Sequence, residues 1–477
     1  MTRALATRLR ARVRSTGSTL LSGLPGRFPG EYLGRFLGGL LIAGLCGCGE
    51  SPPSLRVVLI SLDTLRYDRF DGPQAAMPQL AAAAKAGTVF TRFYSCTSST
   101  QPSHASMFTG LHPWQHGVTR NGLVLPEQVT TITQLFSFAG MSNAAAVASF
   151  PLEQRFGFSR GFDPYLDDFT LGRPEKKTWG GHDPDWDHFY SAADTVTRDA
   201  LALIDEQHGE RQFFFFHYFD AHSPYGDSAS SESAAGGQQT VQVETRELTR
   251  VAKTNRDNLP AALKAAMAAY DDDVAYLDRR IGQLLERLAL DADEIETHIL
   301  ITADHGESFG DDGSFGHGDR LTEPQLHVPL VILSPHSAPG VRDDPAGSID
   351  IAATLLAMAG LAPQLVPGGR DLSQPPSRRT PPPVGMRRTY GEPAKDVRVT
   401  GEIVELTGQR FYQLGDDGLI VGNGEQLEPP SHPLQQGRDA ALRSLFAEFE
   451  TALLTSDATE QLDPETRAAL DALGYTR

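Results

Sequence analysis

The sequence predicts an α/β fold in which one large mixed sheet lies between helices, with a small α+β subdomain after it. Short apolar runs alternate with helical patterns along most of the chain, and this alternation is typical of a sheet that carries helices on both faces. With 477 residues, of which 40% are hydrophobic, the chain is long enough to bury a large core and to form two or three domains.

The predicted elements follow one another in a regular order. Strands are expected near residues 57, 88, 143, 213, 297 and 327, where the apolar runs are short and continuous. Helices are expected at Met77–Ala86, at Ile132–Ala139, near residues 260–290 and at Asp350–Ala359. After a Pro-rich stretch, Val397–Tyr412 has strand character and Asp439–Leu454 has helical character.

The first 48 residues are expected to be a signal peptide rather than part of the fold. They are rich in Arg at the start and apolar from residue 36 to residue 45, a run too short to span a bilayer, which takes about 20 apolar residues. The four residues LCGC, which end at Cys48, resemble a bacterial lipobox. We therefore expect export to the cell envelope, at the periplasm or the cell surface, with Cys48 as a lipid anchor in the membrane. Cys96 then remains as a free thiol.

Acidic residues follow two of the predicted strands. The run Val57–Leu62 is followed by Asp63, and the run His298–Thr302 is followed by Asp304 and His305. Open α/β sheets bind their ligands at the carboxyl ends of their strands. Carboxylates and an imidazole at that edge can hold one divalent cation.

A hydroxyl that is a candidate nucleophile belongs to Thr100, just ahead of Pro102. Pro can start a helix, and unpaired backbone N–H groups and the helix dipole at such a start favour a developing negative charge. Taken alone, this pattern favours a simple helix cap. The two acidic segments, Asp63 and Asp304–His305, favour the nucleophile.

Four segments in the same order resemble the motifs of the sulfatase-like branch of the alkaline phosphatase superfamily. They are Ser61–Arg66, Thr100–Val118, Asp220–Tyr225 and Asp304–Glu307. The resemblance covers Val57 to about Gly360 and implies an alkaline-phosphatase-like sandwich. The expected organisation is a sulfatase-like catalytic domain at residues 55–370, a Pro-rich linker at 371–385 and a C-terminal subdomain at 386–477.

The resemblance implies a metal-dependent ester hydrolase or transferase. In this family the positions of Asp63, Asp304, His305 and the Thr100 oxygen ligate the catalytic cation, which can be Ca, Mg, Mn or Zn. The cation would lower the pKa of the Thr100 hydroxyl for attack on the phosphorus or sulfur of a bound ester.

Three histidines complete the site that the resemblance implies. His222 and His317 match family histidines that contact the substrate oxyanion or protonate the leaving group, and His104 is a further candidate for substrate binding. Asp220 with His222 and His317 could hold a second cation, but we favour a single metal ion.

Departures from the family pattern favour phosphorus over sulfur. True sulfatases carry a Cys or Ser that is oxidised to formylglycine, in a motif that continues Pro-Ser-Arg, whereas this chain has Thr100 and His104 at those positions. Threonine cannot form that aldehyde. The stretch Gly140–Ser149 also lacks the Lys and His that grip sulfate. We therefore expect cleavage of phosphate monoesters, diesters or phosphonates, with a sulfuric ester hydrolase that works without formylglycine, or an inactive envelope binding protein, as alternatives.

Other carboxylates are expected to have structural roles. Glu307 and Asp312 are interpreted as solvated or loop-capping residues, Asp350 as a helix N-cap, and Asp271–Asp273 as part of a solvated helix face. The net charge of −18 argues against nucleic-acid binding, which needs a surplus of Lys and Arg. The expected partner is an anionic ester of a small molecule, a glycan or a lipid headgroup.

Overall fold

The structure is a computed structural model that describes residues 54–169, 190–207, 209–226, 243–318 and 320–376, together with the backbone of four strands between residues 384 and 422. The predicted leader with Cys48, residues 377–383 of the predicted linker and the predicted helix at Asp439–Leu454 lie outside the described residues.

The strands are short except at the centre of the main sheet. They are β1 (Leu55–Leu62), β2 (Thr88–Phe90), β3 (Phe93–Tyr94), β4 (Ser142–Ala146), β5 (Tyr165–Leu166), β6 (Arg211–Tyr218), β7 (Glu296–Thr302), β8 (Ser308–Phe309), β9 (Phe315–Gly316), β10 (Leu330–Leu333), β11 (Gly340–Arg342), β12 (Ala346–Gly347), β13 (Val384–Thr389), β14 (Thr400–Glu405), β15 (Arg410–Gly415) and β16 (Gly418–Gly422).

The α-helices range from a single turn to one long helix. They are α1 (Tyr67–Phe70), α2 (Pro78–Ala84), α3 (Thr100–Thr109), α4 (Pro113–His116), α5 (Ile132–Phe138), α6 (Ala193–Glu206), α7 (Thr245–Thr254), α8 (Leu259–Leu290), α9 (Glu323–Leu326) and α10 (Asp350–Met358). Short 3₁₀ helices lie at Phe150–Leu152, Gln154–Phe156, Arg256–Asn258 and Pro363–Leu365.

Eight strands form the main sheet in the order β11-β2-β10-β7-β1-β6-β4-β5. β1 lies at its centre and pairs in parallel with both β6 and β7. β10 pairs antiparallel with β7 and with β2, so the sheet is mixed, as predicted. Because β1, β6 and β7 are parallel neighbours, their carboxyl ends meet at one edge of the sheet.

The sheet is buried on both faces. Every residue of β1 is buried, and β6 is buried from Gln212 to Tyr218, as continuous apolar runs in a covered parallel sheet require. The long helix α8 packs against α2, α6 and α7, whereas α3 packs against α4, α5 and α10. Two groups of helices thus enclose the sheet, and the predicted α/β sandwich is confirmed.

The predicted elements of the main sheet occur close to their expected positions. The strand expected near residue 327 begins instead at Leu330. Pro329 precedes it and has no N–H to donate to a sheet, which explains the later start. Strands β13 to β16 form a separate antiparallel sheet of four strands. Among the described helices, none is both long and apolar enough to cross a membrane.

The acidic cluster on α8 is not the solvated face that we predicted. Asp273 is fully buried and accepts a hydrogen bond from the Gly226 backbone N–H at 2.5 Å. Asp271 accepts one from Arg69 Nε, also at 2.5 Å. The prediction was wrong for these two residues because their partners come from distant segments of the chain.

Asp350 is also not the N-cap that we predicted. The helix α10 begins at Asp350 itself, after Ile349. The Asp350 carboxylate accepts hydrogen bonds from the backbone N–H groups of Gly347 and Arg370, at 3.0 and 2.8 Å. It therefore joins two loops that are remote in sequence.

Candidate active site

Asp63, Asp304 and His305 meet at the carboxyl ends of the neighbouring strands β1 and β7. All three side chains are fully buried. His305 Nε2 lies 3.8 Å from Asp63 Oδ1 and 3.4 Å from Asp304 Oδ2. The parallel pairing of β1 with β7 thus places two carboxylates and one imidazole within reach of a common point.

The turn after β1 helps to aim one of these carboxylates. Thr64 has a φ of 56°, in the left-handed region that non-glycine residues rarely adopt. Its backbone N–H donates to Asp304 Oδ1 at 3.3 Å, and the His305 N–H donates to the same oxygen at 2.8 Å. These bonds leave Asp304 Oδ2 as the oxygen directed at the cluster. A strained backbone such as that of Thr64 is often found at functional sites.

Thr100 is the first residue of α3 and is fully buried. Its Oγ1 lies 3.4 Å from His305 Nε2. Ser103, one turn along the helix, donates from its hydroxyl to the Asp304 carbonyl at 2.7 Å. The positive end of the helix dipole is therefore held beside the carboxylates, where it favours negative charge on the Thr100 oxygen.

The tautomer of His305 suits a metal ligand. Its Nδ1 lies 3.0 Å from the Gly306 carbonyl oxygen, which can only accept, so Nδ1 donates the hydrogen. In the neutral ring the lone pair of Nε2 then faces Asp63, Asp304 and the Thr100 hydroxyl. A backbone carbonyl that orients the ring in this way is a common second contact of metal-bound histidines.

The carboxylate oxygens of the cluster are available to bind a cation. Both oxygens of Asp63 and Asp304 Oδ2 are buried without a hydrogen-bond partner among the described residues. Burial raises the pKa of Asp63 to about 7, and burial, followed by the charge of Asp63, raises the pKa of Asp304. Burying unpaired carboxylates is costly, and a divalent cation would offset that cost. The donors therefore fit one such ion, with the Thr100 oxygen beside them.

His217 belongs to the site, although no motif in the sequence singles it out. It is fully buried on β6, and its Nε2 lies 3.3 Å from Asp63 Oδ2. The Ala148 N–H donates to Nδ1 at 3.4 Å, so the neutral ring carries its hydrogen on Nε2, which lies near Asp63 without making a hydrogen bond to it. Burial lowers the pKa of His217 to about 4. Its position opposite Ser61 in the parallel pairing of β6 with β1 is the signal that could have identified it.

His104 lies between the start of α3 and the end of β1. It is fully buried, with Nδ1 2.8 Å from the Thr100 carbonyl oxygen and Nε2 2.9 Å from Ser61 Oγ. Both ring nitrogens thus contact protein atoms. This placement argues against the predicted substrate contact and gives His104 the role of fixing α3 to the end of β1.

His222 and His317 lie next to the cluster. The ring of His317 lies 4.4 Å from that of His305 and 4.9 Å from that of His222, between centroids. His222 is stacked on Phe219 at 4.1 Å, and its Nδ1 lies 2.6 Å from the Ser223 carbonyl oxygen. Burial lowers the pKa of both His222 and His317 well below the ordinary value.

Glu307 is not the solvated or loop-capping residue that we predicted. Its side chain is fully buried and accepts hydrogen bonds from Tyr225 Oη at 2.8 Å and from His317 Nδ1 at 3.2 Å. The prediction failed because backbone bonds from Gly306 and Glu307 to the residues before β10 turn this segment inward. With Nδ1 of His317 bound to Glu307, Nε2 is the nitrogen left for the site.

Asp312 is predicted to be a solvated or loop-capping residue, and Asp220 is a candidate ligand of a second cation. Asp312 does cap a loop, because it accepts hydrogen bonds from the hydroxyls of Ser308 and Ser314 at 2.9 and 2.7 Å. Asp220 accepts from the Ala193 N–H at 3.0 Å, at the start of α6.

A second cation at the active site receives no support from the described residues. Among them, two groups of three side chains have ligand atoms in mutual reach, namely Asp63 with Asp304 and His305, and Glu296 with His298 and His336. Asp220, His222 and His317 do not form such a group.

Comparison with known proteins agrees with the fold and with the family that the motifs indicated. The sequence model of the Sulfatase family matches residues 56–361. Choline-sulfatase of Rhizobium meliloti is 31% identical over 108 residues, which are 23% of this chain and 21% of that protein. The ulvan-active sulfatase of Formosa agariphila is 25% identical over 329 residues, 63% of this chain and 60% of that protein. The chain thus spans less than two thirds of the length of both curated relatives.

A similar structure is that of the phosphonate monoester hydrolase of Agrobacterium radiobacter. The two superpose with a TM-score of 0.60 at 17% sequence identity, over 84% of this chain and 96% of that one, which shows a common fold. The family match covers well over half of the chain and confirms the family that the motifs indicated. The chain belongs to the sulfatase family.

Proposed function

We propose that this chain is a metal-dependent hydrolase or transferase that cleaves phosphate monoesters, diesters or phosphonates through a covalent Thr100 intermediate. One observation carries the proposal. The Thr100 hydroxyl stands at the start of a buried helix, 3.4 Å from His305 Nε2, beside carboxylate oxygens that lack hydrogen-bond partners among the described residues.

Asp63, Asp304, His305 and the Thr100 oxygen would hold one divalent cation. When bound, such an ion lowers the pKa of a coordinated hydroxyl and neutralises charge on the nonbridging oxygens of the ester. His217 and the Thr64 N–H fix the carboxylates, with contacts of 3.3 Å each to Asp63 and Asp304. This fixed arrangement would reduce the reorganisation that the reaction requires.

The reaction would proceed in two displacements at phosphorus. In the first, the Thr100 hydroxyl releases its proton to solvent and Oγ1 forms a bond to phosphorus, while the bond from phosphorus to the leaving oxygen breaks. The negative charge of the bound ester would favour the protonated ring of His317, or of His222 beside it, and that ring donates its Nε2 proton to the leaving oxygen. In the second, water or an acceptor alcohol gives a proton to the same Nε2 and attacks the phosphothreonine, and the bond to Oγ1 breaks as Oγ1 takes up a proton. The residues leave open which acceptor is used, so hydrolase and transferase remain within the proposal.

The preference for phosphorus rests on the chemistry of threonine. A formylglycine hydrate can eliminate sulfate after the first step, whereas a threonine ester must be opened by a second attack at phosphorus or sulfur. Cys96 does not supply an alternative nucleophile, because burial raises the pKa of its thiol. Its sulfur contacts Ser106 Oγ at 3.2 Å.

A sulfuric ester hydrolase is the second candidate function. The names of the relatives favour it, since choline-sulfatase and the ulvan-active sulfatase are both named for sulfate esters. These names also support an anionic ester of a small molecule or a glycan as the substrate class.

The test is an assay of the Thr100→Ala variant on nitrophenyl phosphate monoester, diester, phosphonate and sulfate. Thr109→Ala is the matched control, because it makes the same Thr-to-Ala change at the other end of α3. We expect Thr100→Ala to lower the rate on phosphorus esters by on the order of 10³-fold or more. We also expect mass spectrometry of acid-quenched enzyme to find phosphothreonine at position 100.

Other outcomes would overturn parts of the proposal. Unchanged rates in Thr100→Ala would exclude the nucleophile, and sulfate turnover above that of every phosphorus ester would establish the second candidate. An absence of both turnover and bound metal would establish an inactive binding protein.

We propose in addition that the protein is exported and anchored to the membrane by a lipid on Cys48. The lipobox-like residues that end at Cys48 support this proposal. Labelling of cells with a radioactive fatty acid is the test, and equal labelling of the Cys48→Ala variant would refute the anchor.

A further inference from the structure

A second cluster of metal-ligand side chains lies away from the active site. It consists of Glu296, His298 and His336, which we call the peripheral triad. His298 Nε2 and His336 Nε2 each lie 2.9 Å from Glu296 Oε1. The ligand atoms of all three side chains lie within 4.8 Å of one another. We propose that the peripheral triad binds a zinc ion.

Sheet geometry explains why these residues meet. Glu296 and His298 are two positions apart on β7, so their side chains project from the same face. β10 runs antiparallel to β7 with Leu333 opposite Ile299. The chain beyond β10 therefore continues alongside the start of β7, and this brings His336 next to Glu296.

The distances allow a zinc ion to enter with small movements. Zinc binds imidazole nitrogen and carboxylate oxygen at about 2.0–2.2 Å in tetrahedral geometry, which corresponds to about 3.3 Å between ligand atoms. Each nitrogen, now 2.9 Å from Glu296 Oε1, would move away from that oxygen by about 0.4 Å, and the two nitrogens, which lie within 4.8 Å of each other, would approach by up to about 1.5 Å. The side chain of His336 is 69% exposed and can make this adjustment, whereas that of His298 is 2% exposed and fixed by packing.

Ser334 supports both histidines from outside the triad. Its Oγ lies 2.8 Å from His298 Nδ1 and accepts the backbone N–H of His336 at 3.2 Å. When Nε2 of His298 binds a metal ion, Nδ1 carries the hydrogen and donates it to Ser334. A polar contact of this kind orients metal-bound histidines, and simple surface pairing of His with Glu does not require it.

The peripheral triad differs from the active site in place and in chemistry. It lies at the start of β7, and Asp304 follows the end of the same strand, roughly 20 Å away at the rise of an extended chain. Two imidazoles and one carboxylate favour zinc over the calcium or magnesium that an oxygen-rich site accepts. A bound zinc ion would join the start of β7 to the turn after β10.

The experiment measures Zn²⁺ bound per chain, by mass spectrometry of the metal, after chelation and dialysis against Zn²⁺. The His336→Ala variant removes an exposed ligand with little effect on packing. Glu323→Ala is the matched control, because Glu323 pairs with His327 at 3.0 Å in a His–Glu contact that is not part of a triad. We expect His336→Ala to hold one fewer Zn²⁺ than the unaltered chain, and Glu323→Ala to hold the same number.

The Asp304→Asn variant separates the two sites. We expect it to keep the Zn²⁺ of the peripheral triad, to show the visible absorption of tetrahedral Co²⁺ when Co²⁺ replaces zinc, and to lose both when His336→Ala is added. Zn²⁺ should also raise the Tm of Asp304→Asn but not that of the double variant. Equal Zn²⁺ content with and without His336 would overturn the proposal and leave the triad as a hydrogen-bonded surface cluster.

Discussion

At the scale of single residues, the chemistry of the active site depends on three carboxylates that are buried close together. Asp63, Asp304 and Glu307 are all fully buried, and burial raises the pKa of each. Glu307 is bound by Tyr225 and His317, whereas Asp63 has no hydrogen-bond partner among the described residues. Glu307 therefore serves as an orienting group, and Asp63 is left for a cation.

The assignment of His317 as the proton donor predicts a dependence on the leaving group. In His317→Ala, we expect the rate on alkyl phosphate esters to fall by about 10²–10⁴-fold, because an alkoxide needs a proton as it leaves. Nitrophenolate leaves without one, so the rate on nitrophenyl esters should fall less than about tenfold. The ratio of kcat for the two substrates measures this difference. Equal losses on both would show that His317 binds the substrate instead.

At the scale of elements, the site depends on how α3 and the turn after β7 are fixed to the sheet. Ser103 bonds the Asp304 carbonyl, and His104 bonds Ser61 at the end of β1. The turn after β7 packs closely on the segment before β10, where a Cβ on Gly306 would lie 2.1 Å from the Pro324 carbonyl oxygen. Contact with backbone cannot be relieved by a change of rotamer.

Gly306→Ala is therefore expected to displace the turn that carries Asp304 and His305. We expect a loss of about 1–3 kcal/mol in the free energy of unfolding, from steric overlap, together with weaker metal binding. Gly340→Ala is the control, since a Cβ at Gly340 would meet nothing within 4 Å, and it should change stability by less than about 0.5 kcal/mol. Urea denaturation and metal titration measure both effects. Similar stability and metal affinity in the two variants would show that the turn is not constrained.

At the scale of the whole molecule, the proposed cation would couple metal binding to folding through the buried carboxylates. In the absence of the cation, the pKa of Asp63 is raised from 3.8 to about 7. The stability that its protonated form gives is fully present below pH 3.8 and is lost as the pH rises through 7. A cation binds the ionised form and offsets this loss.

The rise in Tm that the catalytic cation produces should therefore depend on pH. We expect the full rise above pH 7 and a smaller rise at lower pH, because the cation must then displace a proton from Asp63. Its affinity should fall by up to about tenfold per pH unit. Thermal unfolding from pH 5 to pH 8, with and without the cation, measures the trend, and Asp63→Asn is the comparison. A rise in Tm that stays constant over this range would contradict the coupling.

The sequence by itself determined the family and the mixed sheet between helices, and it indicated Thr100 as the candidate nucleophile. Strand and helix patterns depend on local periodicity, and the order of the motifs placed Asp63, Thr100, Asp304 and His305 at the ends of elements. These ends meet because β1, β6 and β7 are parallel neighbours. Residues that are far apart in the sequence therefore form one cluster in space.

Only the tertiary structure decided which polar side chains meet one another. The sequence pattern around His217, Glu307 and the peripheral triad is that of an ordinary strand or loop. The ring nitrogens of His104 contact protein atoms. Their partners lie far away in the sequence, for example Tyr225 for Glu307 and His336 for Glu296. Local patterns carry no information about such pairings, which depend on how the strands are ordered in the sheet.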